Sequence, residues 1–334
     1  MHCILHIGPP KTGSTSIQFF LREARDSLAA DGIFVPRAHE ANMSEFGLIV
    51  ARRVRRNRAA RRRNFTADNA EERRAALRDW LGGQMAEARA AGRERCVIST
   101  ESLASLRAPE IAELRDWLAG WCDGFTMIAV LRRQDLQAQS LYRNQVRFNG
   151  ATHRNPLRPH KMMRYDRLLD RWAGELGETA VRPLLLPDSV DEPRDLMEDF
   201  CAAAGIDPRH VPATAREARQ NEAIDARALE LLRRLNRRAP PVGDGSVTPG
   251  RARLEALLAA PFARPRRMSP ARDAAETFAA RFAAPNEAVR ARWFPDRTAL
   301  FSADFSRYPK KARRPGPDAA FFMELAERMA RDTH

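Results

Sequence analysis

The chain has 334 residues, 44% of them hydrophobic, and a formal net charge of +14. The apolar fraction is enough for a sizeable core, and the length fits one large α/β domain with insertions, here taken as 1–334. The charge indicates an anionic partner, such as a nucleotide, an acidic glycan, nucleic acid or a lipid surface. Arginine and alanine are enriched throughout the chain, which weakens this indication.

The cysteines and the N-terminus exclude several other classes. Cys3, Cys96, Cys122 and Cys201 are widely spaced and form no C-x-x-C pair. This spacing argues against a zinc knuckle and against a disulfide scaffold. Neither a charged leader with a long apolar stretch nor a run of about 18 apolar residues occurs. We therefore expect a cytoplasmic protein without a transmembrane segment.

The first predicted elements are a strand, a loop and a helix. Residues 3–7 form an apolar run typical of a buried parallel strand, and a loop rich in glycine and proline follows. From Ser14 the apolar period becomes helical. This arrangement points free backbone N–H groups and the positive end of the helix at an anion. Lys11 adds a compact positive charge suited to phosphate oxygens.

The loop differs from the standard nucleotide triphosphate loop. That pattern, G-x-x-x-x-G-K-[ST], places a lysine after the second glycine, whereas Lys11 precedes Gly13. Lysine is rare among the 57 basic residues of this chain, so its presence in the loop is not expected by chance. The lysines are Lys11, Lys161, Lys310 and Lys311.

An arginine-rich segment follows a short predicted strand at 32–36. It has two interpretations: a solvated helix or insertion, or an electropositive lip that gathers a polyanionic acceptor. Apolar residues at helical spacing then predict an amphipathic helix over 68–91, and we expect 41–92 to form a helical insertion. The arginines of the segment are Arg52, Arg53, Arg55, Arg56, Arg58, Arg61, Arg62 and Arg63.

Two later strands end in polar residues. Residues 95–99 are followed by Glu101, and the apolar run 125–131 is followed by Arg132. In a parallel sheet, ligands bind beyond the carboxyl ends of the strands. We therefore expect the Lys11 loop, Glu101 and Arg132 to converge on one edge, which predicts an active site there.

The remaining elements complete an α/β pattern. One more strand is expected at 181–186, and 238–268, rich in proline, glycine and arginine, is expected to be a loop. Strands alternating with helices predict a three-layer αβα fold with a central parallel sheet. Its core spans about 1–210, and 211–334 is mainly helical. A further helix is expected to follow Asp135 and to run to about Asn149. The other expected helices are 109–121, 193–204, 222–237, 270–283 and 316–331.

Two stretches resemble one enzyme family. PKTGST resembles the 5′-phosphosulfate loop of the sulfotransferases that use 3′-phosphoadenosine 5′-phosphosulfate (PAPS). VLRRQDLQAQSLYRNQ, 130–145, resembles the part of these enzymes in which an arginine ends a central strand and a serine eight residues later shares the 3′-phosphate. Arg132 and Ser140 have this spacing. With Asp135 as the helix cap, Ser140 would lie about 7 Å along the axis. Strand alternation and spacing favour Arg132 over its neighbour Arg133.

Two further stretches resemble the bacterial branch of this superfamily. Residues 219–238 are similar to its asparagine-containing segment, and 286–309 to its C-terminal tail. Arg219 and Asn221 are either contacts of the cofactor loop or ordinary loop and cap residues. The glycine-rich 3′-phosphate loop of cytosolic sulfotransferases is not evident, which leaves the binding of adenine and ribose open.

The resemblance implies a P-loop sulfotransferase-like fold and sulfuryl transfer from PAPS. An acceptor hydroxyl or amine attacks sulfur in line, and adenosine 3′,5′-bisphosphate leaves. The acceptor is expected to be a carbohydrate or polysaccharide, although a lipid or a small alcohol is equally permitted. No metal is expected. The groups expected to bind the cofactor and to neutralise its leaving oxygen are Lys11 and the backbone amides of Thr12, Gly13, Ser14 and Thr15.

Glu101 is the main candidate for the general base, because it follows a strand on the active edge and some glycan sulfotransferases use a glutamate at a comparable place. The alternative interpretation is that Glu101 caps the next helix. His39 and His153 lie in predicted loops and are the other candidates. His6 lies within the first strand and is expected to pack there.

Three other functions are compatible with parts of the sequence. A P-loop kinase or NTPase would need an aspartate that holds Mg²⁺ and a lysine after the glycine. A nucleic-acid-binding protein would explain the charge, but no aromatic residues interleave the arginines, and we expect no nucleic-acid partner. A family member that binds the nucleotide but no longer transfers is the third.

Overall fold

The structure of the chain is a computed structural model that describes residues 1–39, 42–52, 60, 65–187, 195–214, 224–239 and 248–332. Five parallel strands form one sheet: β1 (His2–His6), β2 (Ile33–Phe34), β3 (Arg95–Ser99), β4 (Gly124–Leu131) and β5 (Val181–Leu185). The described helices are α1 (Ser14–Glu23), α2 (Arg25–Ala30), α3 (Glu45–Leu48), α4 (Ala70–Ala90), α5 (Ala108–Leu118), α6 (Gln134–Phe148), α7 (Tyr165–Leu176), α8 (Leu196–Ala204), α9 (Ala226–Leu235), α10 (Pro249–Ala259), α11 (Arg272–Ala280), α12 (Ala283–Trp293) and α13 (Ala319–Arg331).

The chain forms two compact units. The first unit consists of Met1–Arg133, Lys161–Gln220 and Ala284–Ser302. The second unit consists of Gln134–His160, Asn221–Ala283 and Ala303–His334. The single domain over 1–334 that the sequence predicts stays a prediction.

The first unit contains the sheet, in the order β2-β3-β1-β4-β5. The central strands β1, β3 and β4 are almost entirely buried, because helices pack against the sheet. Their sequences are mainly apolar, as strands that are covered on both faces require. Pro183 lies in the edge strand β5, where a missing backbone donor is tolerated. The predicted α/β fold with a central parallel sheet is therefore confirmed.

The strand order creates a crevice at the carboxyl edge of the sheet. The chain leaves β1 toward β2 on one side, and it leaves β4 toward β5 on the other side. Loops that diverge in this way open a cleft between neighbouring strand ends, which is where α/β proteins bind ligands. The cleft lies between the end of β1 at His6 and the end of β4 at Leu131.

The second unit is built from helices and loops around its own apolar core. Tyr142 and Val146 of α6 pack with Leu229 of α9, and Phe321 of α13 stacks on Phe262 with ring centroids 4.8 Å apart. Arg227 and Asp225 form a buried ion pair at the start of α9, and the Asp225 side chain also caps that helix. The predicted helical character of the C-terminal part holds for the described residues.

Two local predictions are wrong. Helix α10 lies inside 238–268, which the sequence predicted to be a loop. The Thr248 side chain caps this helix, Pro249 occupies its first turn, and Leu258 is buried in the core of the second unit. Asp135 does not cap α6, because the helix already begins at Gln134. Its buried carboxylate accepts a hydrogen bond from the Tyr308 hydroxyl instead.

Most of the arginine-rich segment lies outside the described residues. Arg52 is described: its backbone N–H donates to Glu110, and its guanidinium lies 3.7 Å from the Glu113 carboxylate. The four cysteines are buried. Within the described ranges, no helix has the length and apolarity needed to cross a bilayer.

Candidate active site

The loop between β1 and α1 adopts a left-handed turn. Lys11 has φ 72° and Gly13 has φ 96°, and the Thr12 hydroxyl donates to the Pro9 carbonyl over 2.7 Å. A positive φ is uncommon for a residue other than glycine, and such residues occur at functional sites. Consecutive N–H groups in a turn of this kind form a concave site for an anion. The backbone conformation of the loop therefore suits the binding of an anion in front of the N-terminus of helix α1.

Close packing explains both glycines that flank this turn. A Cβ atom added to Gly13 would lie 2.4 Å from Leu196 Cδ2, and one added to Gly8 would lie 2.4 Å from Ser14 Oγ. Real Cβ atoms do not approach other atoms this closely. At Gly13 the positive φ would also strain any other residue, and at Gly8 a side chain would displace the Ser14 hydroxyl.

Two buried polar atoms lie beneath the loop. His6 Nδ1 is 2.7 Å from Ser99 Oγ, His6 Nε2 has no hydrogen-bond partner among the described residues, and the buried Ser14 hydroxyl lies beside Glu101. A Cβ atom on Gly8 would be 3.0 Å from His6 Nε2, which places the imidazole directly under the turn. Burial lowers the pKa of His6 to about 3, so the ring is neutral at neutral pH. His6 is buried as expected, and it forms the floor of the loop.

Arg132 connects the end of β4 to this loop. Its guanidinium Nη1 donates to the Lys11 carbonyl over 3.0 Å. The Tyr165 hydroxyl donates to the Arg132 carbonyl over 2.6 Å and accepts from the Arg132 N–H over 3.2 Å. Arg133 is buried, and its guanidinium donates to the Ser302 carbonyl. The two neighbouring arginines thus have separate roles, and Arg132 is the one beside the loop.

Tyr165→Phe is expected to reduce the free energy of unfolding by about 1–2 kcal/mol, because it leaves both backbone groups of Arg132 without their partner. Urea unfolding measures this change. Tyr142→Phe is the control, because the Tyr142 hydroxyl makes no hydrogen bond with the described residues. Equal midpoints for the two variants would mean that Tyr165 does not hold Arg132.

Glu101 lies beside the same loop. Burial raises the pKa of its carboxyl above the usual 4.5, while the Lys11 charge, the nearby Ser14 hydroxyl and the Lys11 backbone amide act in the opposite direction. The 3₁₀ turn that follows, Leu103–Ser105, has Ser102 as its cap. Glu101 therefore faces the Lys11 loop and does not cap the next helix.

The structure brings together three of the predicted side chains and leaves others apart. Lys11, Glu101 and Arg132 lie at one end of the sheet in the first unit, as the strand ends predicted. Ser140 lies in α6, in the second unit, and is half-buried. Arg219 and Asn221 lie outside the described residues.

The two alternative bases have other surroundings. His39 Nδ1 is 3.1 Å from Glu45 Oε1, and its ring lies 4.4 Å from that of Trp80. His153 belongs to the second unit and packs beside Tyr142 at 5.2 Å between ring centroids. In the part of the chain that the structure describes, no three histidine, cysteine or acidic side chains form a group that could hold a metal ion.

The sequence interpretation missed Tyr165. It lies 33 residues after Arg132, and no local pattern links the two. The single available signal is that Tyr165 is the first residue of an amphipathic helix and is itself fully buried, which implies that its hydroxyl needs a partner inside the protein.

Comparisons with known proteins give one similarity. No protein-family model and no curated protein sequence matches the chain. A solved structure, a sulfotransferase from Alicyclobacillus acidocaldarius, is 17% identical, with 78% of this chain and 96% of that chain covered and a TM-score of 0.39. A TM-score of this size does not define the fold of this chain, which is established by the parallel sheet described above.

Proposed function

We propose that the chain is a sulfotransferase that moves a sulfuryl group from PAPS to an acceptor hydroxyl or amine. One observation carries the proposal: the left-handed Lys11 loop, the Arg132 guanidinium and the Glu101 carboxylate lie together at the cleft between β1 and β4. The loop and the Arg132–Ser140 spacing also match the two sequence elements that resemble the PAPS-dependent family.

The residues at the cleft suit the donor nucleotide. The loop offers N–H groups of Thr12, Gly13, Ser14 and Thr15 to an anion, and the buried Ser14 hydroxyl lies beside Glu101 at the start of α1. A guanidinium binds a phosphate through two parallel charge-assisted hydrogen bonds, which is the role proposed for Arg132, with Ser140 as its partner on the 3′-phosphate.

The proposed reaction is an in-line displacement at sulfur. The acceptor oxygen forms a bond to sulfur, and the bond from sulfur to the bridging oxygen breaks. Adenosine 3′,5′-bisphosphate leaves with the negative charge that develops on that oxygen. Lys11 and the loop amides stabilise this charge, and they are in place before it develops. Glu101 takes the proton of the acceptor hydroxyl.

The environment of Glu101 fits a general base. A base is most effective when its pKa lies near the working pH, and burial moves the pKa of Glu101 in that direction. The half-buried carboxylate is also next to the positive charge of Lys11, so both groups act at the same place. We propose a carbohydrate or polysaccharide acceptor, because the positive net charge favours anionic glycans.

The direct test is to incubate the protein with labelled PAPS and a panel of glycans, lipids and phenols and to measure labelled product. Calorimetry with adenosine 3′,5′-bisphosphate measures nucleotide binding separately. Binding without product on any acceptor would support a nucleotide-binding protein that has lost transfer. ATP hydrolysis that depends on Mg²⁺, with no nucleotide bisphosphate binding, would contradict the proposal and support an NTPase.

Glu101→Gln is expected to lower kcat/KM by about 10²–10⁴. In the unmutated enzyme, kcat/KM should fall on the acidic side with an apparent pKa above 4.5, because the base is protonated below its raised pKa. The variant should lack this acidic limb. Rate profiles from pH 4 to pH 9 check both points. Full activity of the variant would place the base elsewhere.

The stability of the protein gives a second measurement of the same group. The folded pKa of Glu101 is raised above the unfolded value, so the folded state holds the proton more tightly. The carboxyl therefore contributes stability at low pH, and this contribution is lost as the pH rises from 4.5 through the raised folded pKa. Glu101→Gln should remove this loss, which urea unfolding across the same range measures.

A further inference from the structure

The second unit contains a pocket of about 630 Å³ between α6, α9 and the loops around residues 267–272 and 306–313. None of the described residues that line it is acidic. Apolar residues line part of the wall, among them Leu136, Leu229 and Met268. Its volume falls in the range of small-molecule sites, about 300–1,000 Å³. Five of its described lining residues are arginines: Arg143, Arg267, Arg272, Arg307 and Arg313.

Hydrogen bonds hold the two arginine-bearing loops together. Ser269 and Arg313 form an antiparallel bridge with N–H···O distances of 2.9 and 2.8 Å. The Arg272 N–H donates to the Pro309 carbonyl, and its guanidinium donates to the carbonyls of Ser306 and Tyr308. The fold therefore fixes the backbone of Arg313 and both the backbone and the guanidinium of Arg272.

The base of the pocket is also fixed. Tyr308 is buried, and its hydroxyl donates to the Asp135 carboxylate. Gln139 Nε2 donates to the Tyr308 oxygen over 2.8 Å and to the Asp135 carbonyl over 3.2 Å. Since Asp135 and Gln139 both belong to α6, this network anchors the loop that carries Arg307 and Arg313 to the helix.

Four of the five pocket arginines have no carboxylate partner within the described ranges. Among the residues that the structure describes, Arg267, Arg272, Arg307 and Arg313 form no ion pair. Elsewhere in the same unit, buried arginines do have acidic partners: Arg227 with Asp225, Arg233 with Glu230 and Arg251 with Glu255. Positive charges held close together repel one another, and a bound anion removes this repulsion.

We propose that this pocket binds an organic ligand that carries two or more sulfate or phosphate groups, of about the size of a disaccharide or a mononucleotide. The planar guanidinium groups match the oxygens of these groups, and the apolar wall contacts the body of the ligand. The proposal goes beyond sulfuryl transfer and does not depend on it. A sulfated sugar and a phosphorylated metabolite share this chemistry.

The test compares two double variants that change the net charge equally. Arg307→Gln with Arg313→Gln removes two exposed pocket arginines, whose side chains make no hydrogen bond among the described residues. Arg238→Gln with Arg281→Gln removes two exposed arginines of the same unit that lie outside the pocket. Circular dichroism verifies that all variants fold. The probes are a disulfated disaccharide and fructose 1,6-bisphosphate, each titrated by calorimetry at fixed salt.

We expect the unmutated chain to bind at least one probe, and the pocket variant to bind it at least about tenfold more weakly, since each charge-assisted hydrogen bond contributes substantially to affinity. The control variant should bind within about twofold of the unmutated chain. A preference for the disaccharide identifies a sulfated sugar as the ligand class, and a preference for the bisphosphate identifies a phosphorylated one.

Three results would overturn the proposal. The first is that neither probe binds. The second is an equal loss of affinity in both double variants, which would show that the binding reflects net charge alone. The third is full displacement of the probe by one equivalent of adenosine 3′,5′-bisphosphate, which would assign these arginines to the nucleotide site. Sulfuryl transfer measured with an unrelated neutral acceptor separates the failure of this proposal from that of the proposed function.

Discussion

Replacing Lys11 by methionine is expected to lower kcat by a factor of about 10²–10³ at saturating PAPS, as observed when a preorganised group that stabilises transition-state charge is removed. Methionine keeps the length of the side chain and removes its charge. The left-handed backbone conformation at residue 11, with φ 72°, is equally unfavourable for both residues, so the turn itself should not change. Initial rates with labelled PAPS measure the effect.

The matched control is Lys161→Met. Lys161 is exposed and lies in the first unit, in the short turn Lys161–Met163. It should leave kcat unchanged, although the net charge of the chain falls by the same amount. If both variants lose activity equally, the effect of Lys11 comes from the overall charge. If neither does, Lys11 does not act on the leaving oxygen.

Arg132→Ala is expected to weaken the binding of adenosine 3′,5′-bisphosphate by about 10–100-fold, because hydrogen bonds to charged groups contribute roughly 1.5–3 kcal/mol each. The substitution also removes the contact between the guanidinium and the Lys11 carbonyl, so turnover should fall to background. Calorimetry measures the binding, and the labelled-PAPS assay measures the turnover.

Two further substitutions separate the effect of the paired guanidinium donors from the effect of the positive charge. Arg132→Lys keeps the positive charge but loses the paired donors, and it should bind the nucleotide more weakly than the unmutated chain. Arg182→Ala removes an exposed arginine near the start of β5, far along the strand from its carboxyl end, and should bind normally. Normal nucleotide binding by Arg132→Ala would show that the proposed site is wrong.

The parallel sheet could be predicted because its strands carry their own signal. The runs at 3–7 and 125–131 are apolar except for His6 and Thr126, and this is what a strand covered on both faces requires. The turn after β1 was also predictable, because glycine and proline interrupt the apolar period there. Helix α10 was missed because its caps, Thr248 and Pro249, stand in a stretch whose composition is typical of loops.

The sequence could predict which residues lie at the carboxyl edge of the sheet, but not the contacts between them. Sequence placed Lys11, Glu101 and Arg132 on one edge. It gave no indication that the Arg132 guanidinium bonds to the Lys11 carbonyl, that Tyr165 holds Arg132, or that His6 lies beneath Gly8. These contacts join residues up to 121 positions apart, and their existence depends on packing.

The sequence by itself determined the elements whose signal is local: apolar strands, the glycine turn after β1 and helices with an apolar period, each of which depends on the preferences of a few neighbouring residues. Only the tertiary structure decided which charged groups face each other. The crevice between β1 and β4, the raised pKa of Glu101 and the arginine-lined pocket of the second unit all result from long-range packing, which sets burial and distance and therefore the electrostatic environment of each group.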